Sequence, residues 1–423
     1  MSEEHGPGLL VENIGQLVTC AGDRAGGAEA ALGLQEDAVV HCSGGKVDYA
    51  GPRAGLPRDV RSHEVYRLDA GGGLVTPGFV DPHTHLAFAG DRAAEFAERC
   101  AGVPYLEILK RGGGILSTVD ATRRAEEELL AELAEHRLRR LLEQGVTCVE
   151  VKSGYGLSTG EELKLLRAIE AASRRLPGKV VSTLLGAHAL PREFEGRREA
   201  YVDLVCEEMI PAAAEERLAA HVDAFVEEGA FTAADARRIA KAAADRGLGL
   251  RLHVDQLTAG GGAELAADLG ALSADHLEQI SPAGVKALAS SGCAAGLLPT
   301  ATLYARLTTW APGRALCDEG AVLALGTNLN PGTAMSDNHA LALGLACLWN
   351  GLTPAEALLA ATDGAARSLG LGGEVGRLVP GARADLVVHH ATDYRQLAYH
   401  LGVSHVQAVV AGGHPIETTH TPG

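Results

Sequence analysis

Eight short apolar runs, each closing on polar residues, punctuate the middle of the chain. They read "GLVTPGFVDPHTH", "GVTCVEVKSGYG", "KVVSTLLGAHA", "HVDAFVEEG", "LGLRLHVDQ", "ALSADHLE", "GCAAGLLPT" and "AVLALGTNLN". Apolar runs of this length bounded by turn residues predict buried strands. Most of the segments between them carry apolar residues at helical spacing. "STGEELKLLRAIEAASRRL" opens on a capping box, Ser158 to Glu161, and continues with Leu163, Leu166 and Ile169 on one face. "TAADARRIAKAAADRG" predicts a helix from a Thr232 cap to a terminal Gly247. "TRRAEEELLAELAEHRLRRLLEQG" predicts one long amphipathic helix ending at Gly145.

Strands alternating with helices over about 300 residues predict a (β/α)8 barrel, an α/β fold. A doubly wound open sheet is the competing architecture. No G-x-G-x-x-G opens a helix after the first strand, which weakens it. The glycine clusters 112–114 and 260–262 lack a phosphate-loop Lys-Ser/Thr and read as hinges or close-packing points.

Outside this region the rhythm is different. "LLVENIGQLVTC", "DAVVHCSGGKVDYAG" and "HEVYRLDAGG" are short β-type runs with glycine turns, and predict a small antiparallel sheet. "GARADLVVHH" and "HVQAVVAGGHP" have the same character, so the two chain ends are expected to pair into one β-module. The expected organisation is 1–70 as the N-terminal part of a β-sandwich, 71–372 as the barrel, and 373–423 as the C-terminal part of the sandwich.

Composition narrows the function classes. The 423 residues are 46% hydrophobic and 22% charged, the balance of a globular protein, with a net charge of −17. That charge argues against a nucleic-acid or anionic-membrane partner. It leaves room for a small anionic substrate, because one nearby Arg dominates at short range. The eight Cys form no C-x-x-C pair and several sit in apolar runs, which predicts free thiols in a reducing compartment, the cytoplasm. The start "MSEEHGPG" lacks the apolar core of a signal peptide, and no run of about 18 apolar residues predicts a membrane span.

The polar residues that close the runs are the candidate chemistry. They are His83 and His85, then Lys152, Ser153 and Tyr155, then His188, then His253, Asp255 and Gln256, then His276, and last Asn328 and Asn330. In a parallel barrel these ends converge on one rim, where barrel active sites lie. His83 and His85 are two apart on a strand and face one side, so they can hold a metal ion together, with His253 as a third nitrogen. His188 and His276 are candidates to bind substrate or carry protons, or else to orient ligands. Arg92 is a candidate carboxylate clamp, and Tyr155, between two glycines, a candidate ligand contact. Lys152 invites a carbamate bridge, but no second ligand set accompanies it, so it reads as structural or as a charge near the rim. His221 faces the other end and reads as structural. His389, His390 and His400 carry no signal.

In order along the chain, "TPGFVDPHTHLAF", "GDRAAEF", "GGGILSTV", "VEVKSGYGL", "LGAHALP", "YVDLVCEEMIP", "GGAELAADLGALSADHLEQIS" and "LNPGT" resemble the imidazolonepropionase family of the amidohydrolase superfamily. The resemblance implies a distorted (β/α)8 barrel with a small β-sandwich built from both chain ends, and a homodimer. It implies opening of 4-imidazolone-5-propanoate to N-formimino-L-glutamate in histidine breakdown, with one divalent ion, zinc or iron, activating the water. His83, His85 and His253 match the metal-binding residues. Arg92, Tyr155, His188, Gln256, Asn330, Gly332 and Thr333 match the substrate contacts.

Asn328 departs from the pattern. The family carries Asp there, as fourth metal ligand and general base. An amide lacks both charge and basicity, so a dication is held less tightly and a proton-transfer route worth about 10²–10⁴ in rate loses a station. Three readings follow. The favoured one is a hydrolase of this type attacking the ring carbon between the two nitrogens of an imidazolone or thiohydantoin propionate. Its substrate is a sulfur-substituted analogue from histidine or thio-histidine (ergothioneine) catabolism. A thiolate leaves without needing a proton, and metal-independent catalysis becomes possible. The second is a genuine imidazolonepropionase. The third is an inactive paralogue that binds the ring compound. The active readings place catalysis on His253, His276, His188 and Asn328.

Overall fold

The computed structural model describes residues 8–416, apart from 59, 61–64, 104–106 and 108–110. The stretch 1–7 and the start of "HEVYRLDAGG" lie outside the described residues. Six strands open the chain: β1 Gly8–Ile14, β2 Gln16–Leu17, β3 Ala38–Ser43, β4 Lys46–Pro52, β5 Val65–Asp69 and β6 Leu74–Pro77. Eight follow at the predicted runs: β7 Phe79–Asp81, β8 Val146–Lys152, β9 Lys179–Ala187, β10 His221–Val226, β11 Gly249–Val254, β12 Ser273–His276, β13 Ala294–Leu297 and β14 Leu323–Leu325. Three close the chain: β15 Leu386–His389, β16 Val406–Ala411 and β17 His414–Ile416.

β7 to β14 form one eight-stranded parallel sheet in sequence order, with helices in the connections, the predicted (β/α)8 barrel. β7 and β14 are not ladder partners. The seam between them closes beyond the strands, where the N–H of His85 reaches the carbonyl of Leu329 at 2.9 Å and that of Asn328 the carbonyl of His83 at 3.0 Å. The seam is the distortion in the barrel, and it sets the residues after β14 against the two histidines after β7.

The remaining strands form two sheets, ordered β4-β3-β1-β5 and β17-β16-β15-β6-β2. Leu9, Val11, Val40, Val75, Leu386, Val388 and Val410 share a buried core between them, so the two chain ends build a sandwich. The expected all-antiparallel pairing is not found. β1 pairs with β5, and β2 with β6, in parallel. The long link between β4 and β5 allows this, as a two-residue turn would not. Leu74–Pro77, on the barrel side of residue 70, pairs with β15 in the sandwich.

Two helix predictions also differ. The long helix before β8 divides into Ile115–Arg124 and Glu127–Glu143, because Ala125 and Glu126 adopt extended backbone. The helix Thr159–Ser173 has Ser158 at its N-cap, but no side-chain capping bond forms. Glu161 pairs with Lys164, while Glu162 turns inward. The Thr232 cap forms as a reciprocal box with Asp235, and Gly247 follows that helix with φ 71°. All eight cysteines are free thiols. Among the described residues no helix is long and apolar enough to cross a membrane.

Candidate active site

Strand alternation builds the site in layers. On β10, β11 and β12 the residues two apart point inward, and the lower layer is charged. Arg251, Lys152, Glu150, Asp223 and Asp275 are all buried there. Lys152 donates to Glu150 at 2.7 Å and to Asp223 at 2.8 Å, and Arg251 donates to Asp275 at 3.0 Å. Lys152 is therefore an ion-paired ammonium inside the barrel, as the structural reading had it. Three carboxyl groups face two cations there, and burial pushes that of Glu150 up. Burial pushes the Asp223 carboxyl up, but His253 and Lys152 outweigh it and hold it well below the usual range.

Above this layer sit the histidines. Nε2 of His83 and Nε2 of His253 each lie 3.2 Å from Nε2 of His85. The Nδ1 of His83 donates to Asp275 at 2.8 Å, and that of His253 to Asp223 at 3.0 Å. A carboxylate only accepts, so both rings carry their proton on Nδ1 and aim the Nε2 lone pair at one point. Burial holds all three imidazoles below their ordinary pKa, with the charge of Lys152 adding to it at His83. Neutral nitrogens 3.2 Å from a shared neighbour suit an ion bound at the usual Zn–N length of about 2.0–2.1 Å. Among the described residues this trio is the one group of His, Cys, Asp or Glu with metal-binding geometry. The residues fit a divalent ion.

The other candidates gather around it. The ring of His188 stacks on that of His85 at 5.1 Å, and its Nδ1 donates to the carbonyl of Gly154 at 2.9 Å. Burial, with His253 beside it, lowers its pKa to about 4. Tyr155 lies 5.4 Å from His188, centroid to centroid, and is buried. The ring of His276 lies 5.4 Å from that of His253 and 5.7 Å from that of His83. Its backbone is left-handed, φ 88°, and its buried Nδ1 has no hydrogen-bond partner. The nearest acid is Glu278, at 3.7 Å.

Asn328 is buried with φ 54°, a conformation an Asn tolerates better than most residues, and its Oδ1 has no hydrogen-bond partner. Asn330 organises the following loop: its Oδ1 accepts the N–H groups of Gly332 and Thr333, both at 2.8 Å, and its Nδ2 donates to the carbonyl of Asn328 at 2.7 Å. The Asn330 amide is thus occupied inside the loop, and the Thr333 hydroxyl receives its second N–H at 3.0 Å. Gly332 lies against Arg92, where a Cβ would come within 2.4 Å of Nη1. Arg92 gives Nε and Nη2 to Glu95 at 2.9 and 2.7 Å, which leaves Nη1 for any further acceptor. Gln256 is half-buried just past β11. Asp223, Asp275 and Arg251 are site residues not expected from the sequence. The available signal was strand position: Arg251 lies two residues before His253 on β11, Asp275 is in register with His253, and Asp223 is in register with Arg251.

Residues 74–416 match the amidohydrolase family. The chain is 55% identical over 405 residues to the imidazolonepropionase of Myxococcus xanthus, covering 96% of each protein. It is 50% identical over 383 residues to that of Anaeromyxobacter dehalogenans, covering 90% of each. Among solved structures, a zinc-bound adenosine deaminase from Xanthomonas campestris has a similar fold, with TM-score 0.67, 21% identity, and coverage of 96% of this chain and 92% of that one.

Proposed function

Because the chain belongs to the imidazolonepropionase family of amidohydrolases, and so is a hydrolase acting on a cyclic amide or amidine, we propose that it opens 4-imidazolone-5-propanoate to N-formimino-L-glutamate. The observation that carries this reading is the pair of carboxylates, Asp275 and Asp223, that aim His83 and His253 at a common point with His85. A site with no need of a cation would have no use for lone pairs converging in this way. His83, His85 and His253 would hold one divalent ion, zinc or iron, with the Asn328 amide oxygen as a weaker fourth group. Such an ion supplies Lewis-acid polarisation and a more acidic water.

Atom balance locates the bond. In the formimino product the carbon between the nitrogens keeps both of them. Water must therefore add to the ring carbonyl carbon, and the bond from that carbon to its nitrogen breaks. Attack at the carbon between the nitrogens, expected from the sequence, belongs to the sulfur analogue alone. His276, whose ring lies 5.4 Å from that of His253, takes the proton of the attacking water and returns one to the departing nitrogen. His188 presents an unprotonated Nε2 to the ring, Tyr155 lies beside it, and Gln256, just past β11, is assigned to the same substrate contacts. Arg92 takes the propionate through Nη1, with Gly332 allowing the close approach.

A second reading is favoured by Asn328. A sulfur-substituted imidazolone or thiohydantoin propionate needs no acid for its leaving group, so a neutral residue there is no handicap. Turnover of both compounds by the purified protein, before and after chelation, separates the two. Ion-dependent release of formiminoglutamate supports the first; ion-independent release of sulfide from the analogue, without formiminoglutamate, supports the second. Binding of either compound with no product would leave the inactive paralogue. The homodimer and the cytoplasmic setting, which suits eight free thiols, belong to the same proposal.

A further inference from the structure

Glu162 lies in the first turn of the helix Thr159–Ser173 and is fully buried. Its Oε1 accepts the backbone N–H of Gly156 at 2.8 Å and of Leu157 at 2.6 Å, and its Oε2 that of Gly154 at 2.8 Å. The Ser153 hydroxyl is a fourth partner. One carboxylate therefore templates the whole turn 153–157 from inside. The turn needs a template, because Gly154 has φ 102° and Leu157, a residue with a Cβ, has φ 54°. Left-handed backbone at such a residue persists where its surroundings over-determine it.

The same turn supplies two parts of the site. It carries Tyr155 between two of the N–H donors that Glu162 binds. It also presents the Gly154 carbonyl to Nδ1 of His188 at 2.9 Å. A carbonyl only accepts, so this contact requires the proton on Nδ1 and leaves the Nε2 lone pair for the mouth of the barrel. There is no slack at this point, since a Cβ on Gly154 would lie 2.9 Å from Nδ1 of His188.

We infer that Glu162 is a positioning residue: by folding the turn 153–157 it fixes the Nδ1–H tautomer of His188 and the place of the Tyr155 ring. The role of those two residues as substrate contacts rests on the function proposed above; the link from Glu162 to the His188 tautomer does not. Among the described residues no hydrogen bond joins Glu162 to His83, His85 or His253; its partners all lie in the turn 153–157, so its loss is expected to leave the ion in place. An amide in its place offers one acceptor oxygen where the turn uses two, and sets an N–H against a backbone N–H. Aspartate keeps both acceptors but withdraws them by one methylene.

The test uses the full chain with its ion as isolated, labelled with ¹⁵N-histidine, and His188→Gln to assign the His188 signals. The unmodified protein should show His188 as the Nδ1–H tautomer. Glu162→Gln should shift it to the Nε2–H form or a mixture, and Glu162→Asp should do so to a smaller extent. With imidazolone propionate, Glu162→Gln should lose about tenfold or more in kcat/KM, chiefly through KM, with ion content unchanged. An unaltered His188 tautomer in folded Glu162→Gln would overturn the inference; if that variant does not fold, an unaltered tautomer in Glu162→Asp does the same. Absence of turnover by the unmodified protein would count against the proposed function and leave the tautomer result to decide this point.

Discussion

Asp275 accepts the Nδ1–H of His83 at 2.8 Å and so ties β12 to the segment that follows β7. Its carboxylate sets the tautomer of that ring and raises the basicity of the nitrogen on the other side. Asp275→Asn should lower affinity for the bound ion by about 10–100-fold, the usual effect of losing an outer-shell carboxylate. Competition against a chelator of known affinity measures it. Unchanged affinity would separate Asp275 from the ion site.

Asn328→Asp gives the opposite test. The buried Oδ1 that lacks a hydrogen-bond partner becomes a carboxylate oxygen beside His83, whose backbone carbonyl Asn328 already bonds. The expected outcome is tighter ion binding and a higher kcat on imidazolone propionate. A variant that binds the ion no better would show that residue 328 does not face it.

Arg92→Ala should raise KM about 10- to 100-fold with little change in kcat, the effect of removing a charge-assisted hydrogen bond of about 1.5–3 kcal/mol made equally in ground and transition states. Steady-state kinetics on substrates with and without the carboxylate arm checks this. The armless compound should show no difference between the two enzymes.

Lys152 supports the floor of the site. Lys152→Met leaves Glu150 and Asp223 without their shared cation inside the barrel. Stranding buried charges in this way costs about 3–5 kcal/mol. Urea denaturation should show the loss, and a stability within 1 kcal/mol of the parent would contradict the buried-ion-pair assignment.

Acid should destabilise the protein through histidines far from the chemistry. Burial lowers the pKa of His339 to about 4 and that of His389 to about 3. Both are depressed below the unfolded value of about 6.5, so the unfolded chain binds more protons throughout the interval. Their stabilisation is complete above pH 6.5 and is lost as pH falls toward 4 and then 3, at up to about 1.4 kcal/mol per pH unit for each. His389→Gln should flatten the slope of stability against pH between 6 and 4; an unchanged slope would mean that His389 already accepts a proton in the folded state.

Most of the barrel was legible because its eight buried strands are short apolar runs set between amphipathic helices. The helix break at Ala125–Glu126 was hidden, since neither residue is a breaker and the helical pattern continues across it. The parallel pairing of β1 with β5 was hidden because alternation marks a strand but not its direction. At the site, His83, His85, His188, His253 and His276 were found from their places at strand ends. Asp223 and Asp275 were not, because an acid in the middle of a strand looks like an ordinary polar position until its partner across the sheet is known. Asn330 was expected as a substrate contact, yet its amide is spent on its own loop, a local choice open to any Asn before Pro-Gly.

Ion content and turnover measured on the same preparation decide whether His83, His85 and His253 hold a working ion. About one zinc or iron per chain is expected, with loss of imidazolone propionate hydrolysis on chelation and recovery when the ion is returned. Full activity in protein carrying no ion would contradict this expectation.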